Sequence, residues 1–395
     1  MTAVTRPGSL EEVLAALAEL EPDIAARAAE DEPAAETFEE IKRVGLASFV
    51  IPRAYGGGGA TLTEAAAVIR ALAAADAGAA LVLTMHFIHS TRLLSAPVRS
   101  DATEELVRRL AETGGLVNFA SSEGFSGAPS RGGPVGTRAV RQADGSWLLN
   151  GHKRYVTGSI GLDWLLVSAT VLDASDGSED PVVRAFMVPS DAPGLRIEPT
   201  WDTFGLRGSA SHDVLLEDVA VPAEAIAEAY DAGQPAEATR AFQIWWSLLL
   251  ASIHLGIAEA SRQAAHDFAA GPRNDGHPGI RAEQARTQEH AARLELALLQ
   301  ARTLLEDALR RGDAASGPDE TVRATATKLL VHGHATDAVD HAGRLVGGAS
   351  IWNRSPLGRH FRDLRAALFN PPNEDVVIGS VGRFVLGLDE KGLWR

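Results

Sequence analysis

Several side chains in this sequence could carry acid–base or hydrogen-bonding chemistry. His86 and His89 lie three residues apart in an apolar stretch, and Glu374 and Asp375 closely follow a Pro-Pro pair. A histidine can exchange a proton near neutral pH, and a carboxylate can act as a general base. Each also has a simpler interpretation, because a histidine on an apolar helix is often a hydrogen-bonded core residue and acidic residues favour the start of a helix.

Other kinds of catalytic site are excluded or disfavoured. The chain has no cysteine, which excludes a thiolate nucleophile, an iron–sulfur cluster and a disulfide framework. His332, His334 and His341 fall on more than one face of the helix predicted for their segment, and no i, i+4 pair is backed by a carboxylate. We therefore predict structural roles for these histidines and no metal site.

Three blocks of different hydrophobic periodicity must position these residues. Apolar residues recur at helical spacing in residues 1–114, at a period of two in 115–222, and at helical spacing again in 223–395. Within the middle block, Asn150-Gly151 predicts a hairpin turn between two strands. The pattern predicts an α+β protein with an N-terminal α-helical domain, a middle β-barrel or sandwich and a C-terminal four-helix bundle.

Composition limits the partners and the location that we expect. The 395 residues carry a formal net charge of -15, without a basic strip, which argues against a nucleic-acid partner. The first ten residues lack the apolar core of a signal peptide, and the apolar segment Ile244–Ile253 is shorter than the ~18 residues of a spanning helix. We expect a cytoplasmic protein without a membrane partner.

Motifs along nearly the whole chain resemble those of the acyl-CoA dehydrogenase superfamily. They are Ile51-Pro52 with Tyr55-Gly56-Gly57, the segment from Phe119 to Glu123, the segment from Leu149 to Thr157, the segment from Gly205 to Ser211 with Val219 to Pro222, and finally Thr327-Lys328, Arg344 to Gly348 and Arg362-Asp363. One such motif alone is weak, but five in the same order are specific. The resemblance implies the acyl-CoA dehydrogenase-like fold and a flavin cofactor, FMN or FAD.

The resemblance also implies which residues hold the flavin. The isoalloxazine ring is a flat, largely apolar plate with one hydrogen-bonding edge, so it needs an apolar slot with a few donors. By resemblance, Phe119 and Ser122 lie beside the pyrimidine edge with Ser121 between them, Tyr155 covers a ring face and the Thr157 hydroxyl approaches N5. On spacing alone, Tyr155 and Thr157 are also ordinary strand residues.

The carboxylate that removes a proton in the dehydrogenases is missing from its usual places. In most members it lies nine residues after the arginine of the Arg-Asp pair, which is Pro371 here, and in a minority it lies near Trp246. Neither residue is a base. Glu374 or Asp375 could replace it through a shifted loop, so an acyl-CoA or acyl-carrier-protein dehydrogenase, coupled to an electron-transferring flavoprotein, stays open as the alternative.

The superfamily also includes oxygenases that take reduced flavin from a separate flavin reductase. They need a dry pocket with a hydrogen-bond donor rather than a base. Members resembling dibenzothiophene monooxygenase have a histidine where this chain has His86 and His89, and another where it has Asn370. We therefore predict a reduced-flavin monooxygenase that uses these three residues. We expect an apolar or aromatic small-molecule substrate in a pocket lined by Phe87, Trp245, Trp246 and Phe369.

The grip on the distal part of the flavin differs from that in the dehydrogenases. There an arginine and a phenylalanine clasp the pyrophosphate and adenine of FAD across a dimer interface, and the matching positions are Pro272 and Asp275. Arg273 and the backbone N–H groups of Gly347-Gly348 remain as phosphate ligands. This pattern suits FMN or an exchanging FAD. By the same resemblance, we expect a homotetramer.

Overall fold

The computed structural model describes residues 8–124, 135–172, 182–231, 236–273, 276 and 278–388. The N-terminal block is helical, as its periodicity predicts. Capping boxes at Ser9 and Thr61 satisfy the first N–H groups of two of its helices. The fourth helix is buried along every residue from Ala77 to Ser90. Its helices are α1 (Leu10–Ala29), α2 (Ala35–Arg43), α3 (Leu62–Ala75), α4 (Ala77–Leu93) and α5 (Asp101–Thr113).

A seven-stranded sheet follows. Six strands are paired in the order β1-β4-β2-β3-β7-β6, and β5 pairs with β4 outside this order. β1 and β2 run parallel to β4, and the other pairs are antiparallel. The period of two in the middle block therefore corresponds to a curled sheet. Its strands are β1 (Val117–Ala120), β2 (Arg138–Arg141), β3 (Trp147–Val156), β4 (Trp164–Leu172), β5 (Val182–Pro189), β6 (Leu195–Glu198) and β7 (His212–Val221).

The hairpin turn predicted at Asn150-Gly151 is wrong, because β3 runs straight through it. The register with β7 shifts between Leu149 and Gly151, so the dipeptide forms a bulge. The Asn150 side chain donates to Asp218 Oδ1 and accepts from the Asp218 N–H, both at 2.9 Å. These cross-strand bonds satisfy the asparagine inside the sheet, and the turn lies instead at 142–146, where Gly145 has a φ of 89°.

The C-terminal block is a bundle around one long central helix. α6 is long and apolar enough to cross a membrane by length and composition, but 72% of its most apolar window is buried inside the protein. It extends well beyond the Ile244–Ile253 segment and is a core helix, packed against α3, α7 and α8. The helices are α6 (Ala236–Ala270), α7 (Ala285–Ala314), α8 (Pro318–Val346), α9 (Pro356–Ala367) and α10 (Glu374–Val385).

The Arg362-Asp363 pair joins the three blocks at one point. Asp363 Oδ1 accepts the Leu206 N–H at 2.7 Å, on the loop before β7. Arg362 donates to the Phe204 carbonyl at 2.9 Å and pairs with Asp31, after α1, at 2.6 Å. Burial raises the pKa of Asp363 to about 6. The motif therefore fixes the sheet against both helical blocks.

Candidate functional site

Aromatic side chains from several elements converge on one imidazole where α4, α6 and β1 meet. The His89 ring lies 5.7 Å from that of Phe119, 6.1 Å from Tyr230, 6.0 Å from Phe242 and 6.0 Å from Trp246, between centroids. Phe242 and Trp246 lie one turn apart on α6, so their rings share a face. The His89 cluster is defined as His89, Arg92, Phe119, Tyr230, Phe242 and Trp246.

His89 has one nitrogen bonded and one free. Nδ1 lies 2.7 Å from the Tyr230 hydroxyl, which has no other acceptor among the described residues and therefore donates to it. Burial raises the pKa of Tyr230, so the phenol keeps its proton. Burial, together with the nearby charge of Arg92, lowers the pKa of His89 well below its ordinary value, so the ring is neutral. The proton then lies on Nε2, for which the described residues provide no acceptor.

His86 has both nitrogens engaged, which contradicts a catalytic role for it. Nε2 lies 2.7 Å from the Ala47 carbonyl, and Nδ1 accepts the Val117 N–H at 3.0 Å. The side chain is fully buried, and burial lowers its pKa to about 4. The neutral ring therefore links α4 to β1 and to the loop after α2. It positions β1, whereas His89 keeps one ring nitrogen without a partner among the described residues.

The two places where the dehydrogenases carry their base are in contact here. Trp246 Nε1 donates to the Pro371 carbonyl at 2.5 Å, so an indole and a proline meet. Lys328 also holds the loop that contains Pro371, because its buried ammonium donates to the carbonyls of Asn370 and Pro372. No carboxylate takes part in these contacts among the described residues.

The remaining residues predicted for catalysis lie around this loop. Asn370 is half-buried. Its backbone carbonyl accepts from Lys328 and its backbone N–H donates to the Ala367 carbonyl, but its side-chain amide makes no hydrogen bond in the described part of the chain. Glu374 and Asp375 are exposed in the first turn of α10, where carboxylates favour the helix dipole. The structure thus gives the acidic pair the helix-starting position of the simpler interpretation and brings neither into the His89 cluster.

The four residues predicted to line the substrate pocket lie in different surroundings. Trp246 belongs to the His89 cluster. Phe87 lies on a different face of α4 from His89 and is fully buried in the core. This position contradicts its assignment to the pocket. Trp245 is half-buried against the core, and Phe369 is 64% exposed beside the loop.

The predicted flavin edge forms a row of hydroxyl groups next to an open aromatic face. Thr157 Oγ1 lies 3.0 Å from Ser211 Oγ, which lies 2.8 Å from Ser209 Oγ. Tyr155 has a φ of 56°, is 59% exposed and meets Trp201 edge-on. A strand tyrosine held in the left-handed region with its ring in solvent costs free energy, so the conformation points to a planar partner on that face.

Asn118 connects this edge to the His89 cluster. Its side-chain amide donates to the Thr157 carbonyl at 2.8 Å, and its Oδ1 accepts the Phe119 N–H at 2.7 Å. The Phe119 ring lies 4.4 Å from that of Tyr230, inside the cluster rather than along the hydroxyl row. Asn118 therefore makes the hydroxyl row and the His89 cluster neighbours in the structure.

A buried ion pair anchors Ser121 and Ser122. The next residue, Glu123, accepts hydrogen bonds at Oε1 from Lys153 Nζ and Thr137 Oγ1, both at 2.6 Å. Burial alone would raise the pKa of Glu123, but the bonds from Lys153 and Thr137 lower it to about 2. Strand β3 also donates a backbone N–H to the Ser122 carbonyl at 2.9 Å. The serines are thus held at the end of β1, near Tyr155.

The residues predicted for the flavin phosphate lie on the bundle surface. The Arg273 N–H donates to the Gly279 carbonyl at 3.1 Å between α6 and α7. Gly347 ends α8 with a φ of 69°, and a Cβ added there or at Gly348 would meet nothing within 4 Å. Asp275 lies outside the described residues.

Sequence reasoning missed three members of the His89 cluster. Arg92 lies one turn after His89 on α4, and Phe242 one turn before Trp246 on α6, so helical spacing could have found both. Tyr230 ends a single 3-10 turn, Glu228–Tyr230, after the sheet, which is too short for a periodic pattern to locate.

Family models match most of the chain in three consecutive parts. They describe the acyl-CoA dehydrogenase N-terminal domain at residues 13–113, the middle domain at 118–219 and the C-terminal domain at 248–369.

Individual relatives belong to two branches. YdbM of Bacillus subtilis (strain 168), whose name assigns it provisionally to the acyl-CoA dehydrogenases, is 32% identical over 351 residues, 87% of each chain. L-evernosamine nitrososynthase of Micromonospora sp. is 33% identical over 376 residues, 90% of this chain and 84% of the relative. A solved structure of KijD3 in complex with FMN and dTDP-3-amino-2,3,6-trideoxy-4-keto-3-methyl-D-glucose superposes with a TM-score of 0.83 at 25% identity, covering 99% of this chain and 97% of KijD3.

Proposed function

Because the chain belongs to the acyl-CoA dehydrogenase family, we propose that it is a flavin-dependent oxidoreductase of that fold, and specifically a two-component monooxygenase. It would take reduced FMN, or an exchanging FAD, from a partner flavin reductase and oxidise an apolar or aromatic small molecule. The observation that carries this proposal is the contact between Trp246 and Pro371, which fills both places of the dehydrogenase base with groups unable to remove a proton from carbon.

The residues fit a flavin. The open face of Tyr155 would receive the ring, while the Thr157 and Ser211 hydroxyls and the anchored Ser121-Ser122 segment would meet its polar edge. Arg273 and Gly347-Gly348 would hold a phosphate, as the family resemblance implies, from a second subunit. Bound reduced flavin would supply two electrons to O₂, so that one oxygen atom is transferred to the substrate and the other leaves as water.

The chain's own contribution is a dry pocket with one neutral donor. The aromatic rings around His89 exclude water, so a hydrogen bond made inside the cluster is stronger than one made in solvent. Tyr230 fixes the tautomer of His89 and leaves Nε2–H as the free donor. A neutral donor at this position stabilises negative charge on oxygen without protonating it prematurely. Asn370 remains a proposed second donor from the loop.

The alternative is an acyl-CoA or acyl-carrier-protein dehydrogenase that relocates Glu374 or Asp375 as its base. The exposed carboxylates at the start of α10 would have to move into the His89 cluster.

We also propose a homotetramer in the cytoplasm. The exposed apolar side chains of the C-terminal bundle support an oligomer, because exposing so many apolar side chains to water is unfavourable. They include Leu296, Leu299, Leu330, Ile351, Trp352 and Ile378.

Rapid mixing separates the two reactions. Protein loaded with photoreduced FMN and mixed with oxygen is expected to give an absorbance transient that outlives the one seen with free FMN. His89→Phe should shorten its lifetime at least tenfold and raise hydrogen peroxide release, because the Nε2–H donor is lost. His266→Phe, which changes a half-exposed histidine on the surface of α6, is the matched control and should leave the lifetime unchanged.

The dehydrogenase alternative makes the opposite prediction. Protein loaded with oxidised FAD would be bleached by an acyl-CoA thioester under anaerobic conditions, and Glu374→Gln or Asp375→Asn would abolish the bleaching. Bleaching by thioester together with no stabilised oxygen transient would refute the monooxygenase proposal.

A further inference from the structure

Arg92 brings an arginine side chain into the His89 cluster. Its guanidinium carbon lies 4.4 Å from the ring centroid of Tyr230 and 4.2 Å from that of Phe242. These distances place the planar cation against two aromatic faces, which attract it and hold its orientation. Arg92 lies on α4, one turn after His89, so the cation and the free Nε2–H donor project from the same face of this helix.

No carboxylate balances this charge within the described residues. Arg92 makes no ion pair or hydrogen bond there, whereas other half-buried arginines such as Arg184 and Arg302 each pair with an acid. Burial lowers the pKa of Arg92, because the apolar surroundings solvate a cation poorly. A half-buried guanidinium that is stacked on two rings, and whose N–H groups meet no acceptor among the described residues, has capacity for an incoming anion.

We propose that Arg92 binds an anionic group of the substrate, with a planar carboxylate as the best match. This inference rests on the proposed function for the place of the substrate and adds its chemical class: an apolar or aromatic acid rather than a neutral hydrocarbon. A guanidinium donates two parallel hydrogen bonds to a carboxylate, and low local polarity strengthens them. The same charge repels a cation, so a simple alkylamine, which is protonated at neutral pH, should bind more weakly than an acid.

The acid's opposite end then meets the reacting part of the site. With its carboxylate on Arg92, a bound molecule would extend its apolar body between Phe119 and Trp246, whose rings both contact His89. The orientation is therefore fixed at one end by charge and along its length by aromatic packing. Arg92 acts as a specificity-determining residue, separate from the donor function of His89.

Isothermal titration calorimetry with three ligands of similar shape tests the assignment without any flavin chemistry. Benzoate is the anionic probe, benzamide its neutral counterpart and benzylamine its cationic one. The wild-type protein is expected to bind benzoate about 10–100-fold more tightly than benzamide, as one charge-assisted bidentate contact allows, and benzylamine more weakly than either. Arg92→Gln should abolish the preference for benzoate, and Arg92→Lys should keep part of it, since lysine retains the charge without the planar fork.

Arg109→Gln is the matched control. Arg109 also stacks on an aromatic ring, that of Trp164 at 5.8 Å, but on the exposed side of α5. It should leave all three affinities unchanged. If Arg92→Gln does not fold, the partial preference in Arg92→Lys decides. Equal binding of benzoate and benzamide to the wild type, or no binding of either, would overturn the proposal.

Flavin titrations test whether Arg92 instead binds the phosphate of the flavin. If Arg92 instead held the flavin phosphate, Arg92→Gln would weaken FMN binding and leave riboflavin binding intact, which would also overturn the proposal. The expected result is an unchanged FMN affinity. Because these measurements involve no oxygen, a negative result with the ligands and a negative oxygen transient are separate failures.

Discussion

Replacing Glu123 with glutamine is expected to destabilise the protein in a pH-dependent way. Glutamine keeps the shape of the side chain but removes the charge that faces Lys153. The two side chains are 7% and 0% exposed, so solvent screens the pair only slightly. Hydrogen bonds from Lys153 and Thr137 overcome the effect of burial and lower the pKa of Glu123 from its ordinary value of 4.5 to about 2.

The size and sign of the effect follow from these two values. At about 1.4 kcal/mol per pH unit they correspond to about 3 kcal/mol, or about 2–3 kcal/mol after a discount for screening at the partly exposed backbone. Because the folded-state pKa is depressed, this stabilisation is complete above about pH 5 and is lost as the pH falls toward 2. At pH 3, only about 1 kcal/mol of it remains.

Urea unfolding at pH 7, 5, 4 and 3, followed by tryptophan fluorescence, measures the difference between wild type and Glu123→Gln. We expect the difference to shrink steadily below pH 5. Glu105→Gln, at a 73% exposed side chain paired with Arg108, is the control and should change the free energy of unfolding by less than about 0.5 kcal/mol at every pH. A difference for Glu123→Gln that stays constant with pH, or that is no larger than the control, would refute the reasoning.

Three further predictions concern the elements around the site. His86→Gln should lower the free energy of unfolding by about 1–3 kcal/mol, because buried partners lose hydrogen bonds, while the oxygen transient of the folded fraction persists; loss of the transient at unchanged stability would contradict the structural role. Gly151→Ala should lower the melting temperature, since its Cβ would lie 2.3 Å from a threonine hydroxyl, whereas Gly333→Ala, with open space on α8, should raise it slightly; equal shifts would contradict the packing. Trp246→Phe removes the donor to the Pro371 carbonyl and should accelerate hydrogen exchange in residues 368–373, measured by mass spectrometry; unchanged exchange there would show that the contact does not hold the loop.

The fold was largely predictable because each block has a clear period. Helical spacing and period-two alternation locate the helices and most of the strands, including β4, β5 and β7. Asn150-Gly151 misled because a local turn signal cannot reveal Asp218, 68 residues away, which satisfies the asparagine across the sheet. Long-range pairing of this kind has no local pattern.

The site was predictable where it follows motifs and not where it depends on side-chain direction. The hydroxyl row at Thr157 and the anchor at Glu123 lie in segments that resemble the family. The sequence suggested His86 and His89 equally, and only the three-dimensional arrangement shows that Ala47 and Val117 occupy both nitrogens of His86. Phe87 failed for the same reason, because its position on α4 directs it into the core.

The junction at Arg362-Asp363 bears on how the protein could accommodate the exchanging flavin that we propose. Its hydrogen bonds and ion pair involve protein groups alone, and they hold the sheet that carries Tyr155 against the helices that carry His89. The relative placement of Tyr155 and His89 therefore depends on contacts within the chain itself. Under the proposed function, a flavin would then bind and leave without any rearrangement of the domains.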